Sequence, residues 1–162
     1  MKNNLEWAKW YVAKGFSIIP IRPEDKKPAI ETWKIYQKHK PTEDNLKIWF
    51  GNGSQNNIGI VTGKASGIAV VDLDSNRAVE YAKTQNFPPT PLVKTGKGYH
   101  LYYSYKEGVR NFQKRDDLPD IDLRGDGGCV VAPPSIHSSG KQYQWVEGKG
   151  LDDLPFAELP VA

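Results

Sequence analysis

One cysteine, Cys129, stands among 162 residues. An internal disulfide and a cysteine-rich zinc site are therefore excluded. No apolar run approaches the roughly 20 residues of a membrane span. Residues 1–11 mix charge with aromatics where a signal peptide has its apolar stretch. These absences make the cytoplasm the expected compartment and leave no role for a membrane. A P-loop is missing too, since the stretch from Gly59 to Ala65 has the wrong spacing and no hydroxyl after Lys64. No G-x-S-x-G elbow is present for a serine hydrolase. The three histidines, His39, His100 and His137, lack zinc-ligand spacing. Charge of one sign is also scarce. Against 22 basic residues stand 19 acidic ones, a net charge of +3, so any basic groove for nucleic acid must be local.

What is present describes one folded domain. Hydrophobic residues make up 38% and charged residues 25%, which is globular rather than disordered. Residues 5–14 are predicted as a helix, with Leu5, Ala8, Tyr11 and Val12 on one face and Gly15 as the stop. A short strand, 16–21, follows. Thr42 is the expected N-cap of a second helix that ends at Gly51. Two apolar, β-branched runs, 58–61 and 68–73, read as a hairpin or two adjacent strands. Ser75 is expected to cap a helix to about residue 85, before the rigid Phe87-Pro88-Pro89-Thr90-Pro91 connector. Five more strands are expected at 92–94, 99–105, 120–124, 129–132 and 142–146, then an acidic tail that folds back loosely. The mixture is α+β.

Three segments carry chemistry. In Ile68-Ala69-Val70-Val71-Asp72-Leu73-Asp74, strand alternation puts Asp72 and Asp74 on one side. They lie about 7 Å apart at the backbone, close enough to converge on hard cations; a strand fraying into solvent is an equal reading of this segment alone. In Thr95-Gly96-Lys97-Gly98-Tyr99-His100, glycines open a turn where backbone can approach a phosphate, and Lys97 adds charge; a histidine that bonds a backbone carbonyl at a strand edge is the stronger reading of this segment alone. In Asp120-Ile121-Asp122-Leu123-Arg124, the two acids and Arg124 share a face while Ile121 and Leu123 point to the core. A surface salt bridge on an edge strand would give the same pattern. Asp126, in the glycine-rich turn that follows, reads as a turn residue only.

The order of these segments resembles a known family. Gly15-Phe16-Ser17-Ile18-Ile19-Pro20 and Lys26-Lys27-Pro28 come first, then Asn57-Ile58-Gly59-Ile60-Val61-Thr62-Gly63 and Val71-Asp72-Leu73-Asp74. Gly98-Tyr99-His100, Ile121-Asp122-Leu123-Arg124 and Val131-Ala132-Pro133-Pro134-Ser135 complete the series. From about Leu5 to Trp145, the chain is similar to the N-terminal domain of bifunctional DNA primase–polymerases of plasmids, phages and mobile elements. That family belongs to the archaeo-eukaryotic primase superfamily.

The resemblance implies a single prim-pol catalytic domain over 1–162. A small N-terminal α/β module (about 1–66) would pack on an RRM-like sheet (about 67–150), with the active site in the cleft between them and a tail over 151–162. It implies Asp72, Asp74 and Asp122 as ligands of two Mg²⁺ or Mn²⁺ ions roughly 4 Å apart. His100, Lys97 and Arg124 would bind the nucleotide, with Thr95 and Gly98 shaping that site. Gly98 stands where many relatives carry serine. Lys26 and Lys27 are candidates for template or triphosphate contact. Substrates would be dNTP or NTP, with single-stranded DNA template and primer, and a replicative helicase or helical accessory domain as partner. That helical segment is implicated in initiation, and residues 151–162 are too short and proline-broken to supply it, so extension is expected to exceed initiation. Like-charge relief leads us to expect that removing one acid leaves thermal stability level or higher. A two-metal nuclease and a non-catalytic single-strand-binding module are the rival functions.

Overall fold

Each α-helix starts on a side chain that closes its first turn. In the computed structural model, which describes residues 2–113 and 115–160, Asn3 caps α1 (Asn4–Ala13) by accepting from the Glu6 amide, and Glu6 returns the bond to Asn3. Thr42 and Asn45 do the same for α2 (Glu43–Phe50). Ser75 accepts from the Ala78 amide at the start of α3 (Asn76–Thr84). Such caps satisfy amides that the helix itself cannot. Thr42 and Ser75 are the caps expected from sequence.

The strands form two antiparallel sheets. The first is three-stranded, in the order β1-β2-β7, from β1 (Ser17–Ile21), β2 (Asn57–Val61) and β7 (Cys129–Ala132). The second is five-stranded, in the order β6-β3-β5-β4-β8. It comprises β3 (Ile68–Leu73), β4 (Leu92–Lys94), β5 (Tyr99–Ser104), β6 (Ile121–Arg124) and β8 (Gln144–Trp145). The α+β expectation holds. The expected pairing of β2 with β3 does not, because they lie in different sheets. Residues 62–67 turn a corner instead. Gly63 and Gly67 take positive φ there, and Thr62 bonds Gly125 and Gly128 of the loop that links β6 to β7. The expected strand at 142–146 shortens to Gln144–Trp145. β7 returns from the second half of the chain to the first sheet, so the sheets do not divide the chain at residue 66.

Alternation along β3 serves two cores. Ile68 and Val70 pack with Ile18, Ile58, Ile60 and Tyr102, between the sheets. Ala69, Val71 and Leu73 pack with Ala78 and Ala82 of α3 and with Tyr103, Ile121 and Leu123. The second sheet is thus the middle layer, covered by the first sheet on one face and by α3 on the other. Burying each of these larger apolar side chains contributes about 1.5–3 kcal/mol. The tail is docked rather than loose, since Ala157 accepts from the Ser104 amide and donates its own amide to Thr90.

Candidate active site

Asp122, Asp72 and His100 stand side by side on three neighbouring strands. Asp72 of β3 is the register partner of Asp122 on β6 and of His100 on β5. Partners across antiparallel strands have Cα atoms about 4.5–5.5 Å apart and side chains on the same face. Leu73, Ile121 and Leu123 occupy the α3 face, so the three polar side chains point toward the first sheet. Asp74 continues the row one step beyond the end of β3, where its amide donates to the Asp120 carbonyl at 3.1 Å.

The acids are held in different surroundings. His100 Nε2 lies 3.5 Å from Asp72 Oδ1, and both side chains are nearly buried, at 9% and 15% exposure. Burial pushes the Asp72 carboxyl up, but the His100 hydrogen bond and the charges of His100, Lys26 and Arg124 outweigh it, and the group ends below the usual carboxylate value. Asp122 faces Arg124, with Oδ2 4.0 Å from Nη2. With its amide oxygen turned to the guanidinium, Gln113 accepts from Arg124 at 2.5 and 2.8 Å. His100 Nδ1 is buried and has no partner among the described residues.

Two separate cavities border this row. One, of about 240 Å³, lies between the sheets and is lined by Asp72, His100 and Arg124 from the second sheet and by Val130 and Val131 from the first. Lys26, Trp33 and Tyr143 close it. The other, of about 450 Å³, is lined by Asp74 and Asp122 with Arg77, Arg115 and Asp120. Carboxylate oxygens are the donors that hard divalent cations prefer, so Asp72, Asp74 and Asp122 suit Mg²⁺ or Mn²⁺ in chemistry. Among the described residues, no group of three His, Cys, Asp or Glu side chains is already gathered to hold a metal ion. Asp72 and Asp122 face His100 and Arg124 instead.

The other residues singled out by sequence divide. Lys26 lines the inner cavity. Lys27 is exposed and its amide bonds Asp25 within a turn. Thr95 and Gly98 bond each other, through both backbones and the Thr95 hydroxyl. Their amides are spent within the turn rather than offered to a ligand. Asp120 does not share the face of Asp122, because it precedes β6 with φ at +53°. Its carboxylate takes bonds from Ser75 and Arg77. Asp126 does more than turn the chain: it accepts from the Lys64 amide and the Tyr105 hydroxyl. Three residues near the acids escaped the sequence. Asn111 and Tyr143 line the inner cavity, and His137 packs on Gly96. All three sit on loops or next to a short edge strand, where no periodicity points a side chain.

Carboxylates, a histidine and an arginine approach one another from adjacent strands, and carboxylate oxygens and guanidinium groups are the donors that divalent cations and phosphate oxygens, respectively, prefer. Comparison with protein families gives the identification. The model for the N-terminal domain of bifunctional DNA primase/polymerase matches residues 8–162. The chain belongs to this Prim-Pol family. At the family level this means nucleotidyl transfer of the DNA primase/polymerase type, dependent on metal, with nucleoside triphosphates and single-stranded DNA as substrates. No curated protein matches the chain. No helix among the described residues is long and apolar enough to cross a membrane.

Proposed function

We propose that the chain is a single prim-pol catalytic domain that carries out template-directed DNA synthesis in the cleft between its sheets, for a plasmid, phage or mobile element. The observation that supports this most is the register of Asp122, Asp72 and His100 across β6, β3 and β5. The order β6-β3-β5-β4, with α3 after β3, supports an RRM-like platform beneath the site.

Asp72, Asp74 and Asp122 would hold two Mg²⁺ or Mn²⁺ ions. Bound there, the ions supply a lowered pKa for the attacking 3′-hydroxyl and counter-charge for the departing pyrophosphate. The inner cavity takes the nucleotide. Arg124 presents a planar donor set to phosphate oxygens, and Gln113 fixes its orientation. His100, released from Asp72, donates to the same anion. Lys26 adds charge at the cavity wall, and Lys97 adds charge from the β4–β5 turn. Template and primer approach from outside this cavity. A replicative helicase or helical accessory domain is the partner expected in replication.

The test is incorporation of labelled nucleotide on single-stranded template, with and without primer, in Mg²⁺ or Mn²⁺. Asp72→Ala, Asp74→Ala and Asp122→Ala are each expected to lose on the order of 100-fold or more. Wild-type-like polymerisation by Asp72→Ala would remove the metal assignment. Cleavage of DNA without nucleoside triphosphate would make the domain a nuclease. Metal-independent strand binding with no incorporation would make it a binding module.

A further inference from the structure

Three separate loops meet beside the acids, each bringing a lysine. Lys26 comes from the loop after β1, Lys97 from the β4–β5 turn and Lys141 from the loop between β7 and β8. All three bear electrostatically on the His137 imidazole, as does Asp74. No described carboxylate forms an ion pair with any of the three lysines. Gathered like charges repel, and an anion bound among them offsets that repulsion.

His137 is fixed rather than free. Its ring lies on bare backbone, since a Cβ at Gly96 would fall 2.9 Å from its Cγ. The Ser139 amide donates to its Nδ1 at 3.0 Å, and the Ser139 hydroxyl lies 2.8 Å from the same atom. Accepting at Nδ1 places the proton of the neutral ring on Nε2. Burial, then Lys26 and Lys97, hold its pKa below the ordinary histidine value, so the ring stays neutral while keeping one directed donor. The backbone on either side is pinned: Ile136 and Asn57 exchange bonds, and His137 donates to the Lys141 carbonyl at 2.7 Å.

The cluster borders the inner cavity through shared residues, Lys26 and Tyr143. Tyr143 stands between the two histidines, its ring 6.0 Å from His100 and 5.9 Å from His137. Lys26 belongs to both places, lining the cavity beside Asp72.

We infer that His137 is a phosphate-binding residue of this site, donating its Nε2–H to the β- or γ-phosphate of the incoming nucleotide and to pyrophosphate after transfer. Lys26, Lys97 and Lys141 supply the surrounding charge. This rests on the cleft being a nucleotidyl-transfer site. A compact cluster bordering the nucleotide cavity fits a triphosphate end better than a DNA backbone, which runs on past its contacts.

The experiment measures the KM for dNTP, inhibition by pyrophosphate and template affinity without nucleotide, in the full chain. His137→Ala is expected to raise both the KM and the pyrophosphate inhibition constant about tenfold. Template affinity and melting temperature stay near wild type. His137→Gln, whose amide nitrogen approximates the position of Nε2, recovers part of the loss. Unchanged pyrophosphate inhibition in His137→Ala overturns the inference, and so does a fall in template affinity alone, which would make His137 a DNA contact. A wild-type chain that incorporates no nucleotide defeats the functional proposal instead. Pyrophosphate titration of the intrinsic tryptophan fluorescence, wild type against His137→Ala, then still decides whether His137 binds phosphate.

Discussion

The carbonyl oxygen of Leu73 occupies the space next to Gly98 so closely that a Cβ there would stand 1.9 Å from it. Glycine at 98 is therefore a matter of contact, since the β4–β5 turn rests on the end of β3. Asp74 follows Leu73 directly. Gly98→Ala must push the turn and the strand end apart, at about 1–3 kcal/mol for overpacking. Both the melting temperature and nucleotide incorporation are expected to fall. The loss of incorporation should exceed what the melting shift explains, because Asp74 moves with the strand end. Wild-type activity at a lowered melting temperature would separate Asp74 from the turn.

Asp72 and His100 give a second prediction, opposite to the like-charge argument drawn from sequence. The surroundings of Asp72 favour its charged form despite burial, so its neighbours attract more than they repel. Asp72→Ala leaves His100, whose Nδ1 already lacks a partner, without its contact at Nε2. A loss of about 1–3 kcal/mol is expected in metal-free buffer. Denaturant unfolding checks it, and a gain in stability would restore the repulsion argument.

Tyr143 ties the site to alkaline pH. Burial first, then Asp72 and Asp74, push its phenol up to about 12. The unfolded chain releases that proton near 10. A raised pKa means that the folded state keeps a proton the unfolded state gives up. The contribution is complete below about pH 10 and is lost as pH rises toward 12. Stability should fall across that window, and Tyr143→Phe should make the slope less steep, other raised tyrosines such as Tyr102 and Tyr103 supplying the rest. Phenolate absorbance followed beside circular dichroism is the check, and an unchanged slope would count against the assignment.

Asp126 carries a prediction about the join between sheets. It holds the Lys64 amide at 3.0 Å and the Tyr105 hydroxyl at 2.8 Å, next to Gly63, where a Cβ would collide with it. Asp126→Ala is expected to cost about 2 kcal/mol while leaving the KM for dNTP near wild type. A raised KM without destabilisation would move Asp126 into the nucleotide site.

Much of this was legible in sequence, for identifiable reasons. Alternation along β3 and β6 is a local property of a strand, so the shared faces of Asp72 with Val70 and of Asp122 with Arg124 could be read directly. Which strands are neighbours is not local. The runs of β2 and β3 are equally apolar and β-branched, and nothing in either says that they part into different sheets. The left-handed backbone of Asp120 was also hidden, because bonds from Ser75 and Arg77, some 43–45 residues away, hold its side chain off the cleft face. His137 lies in a loop whose meeting with Gly96 depends on the assembled fold.

The division of β3 between two cores has a consequence for how the chain finds its register. A slip of one residue against β5 and β6 would exchange the two faces. Asp72 and Asp74 would then enter the apolar layer under α3, and Leu73 would enter the polar cleft. Each buried, unpaired carboxylate would cost several kcal/mol, a large share of the stability of any domain this size. The misaligned pairing is closed off by the same acids proposed to hold the metals, so replacing Asp72 and Asp74 together with apolar residues would remove a guard on strand alignment as well as the chemistry.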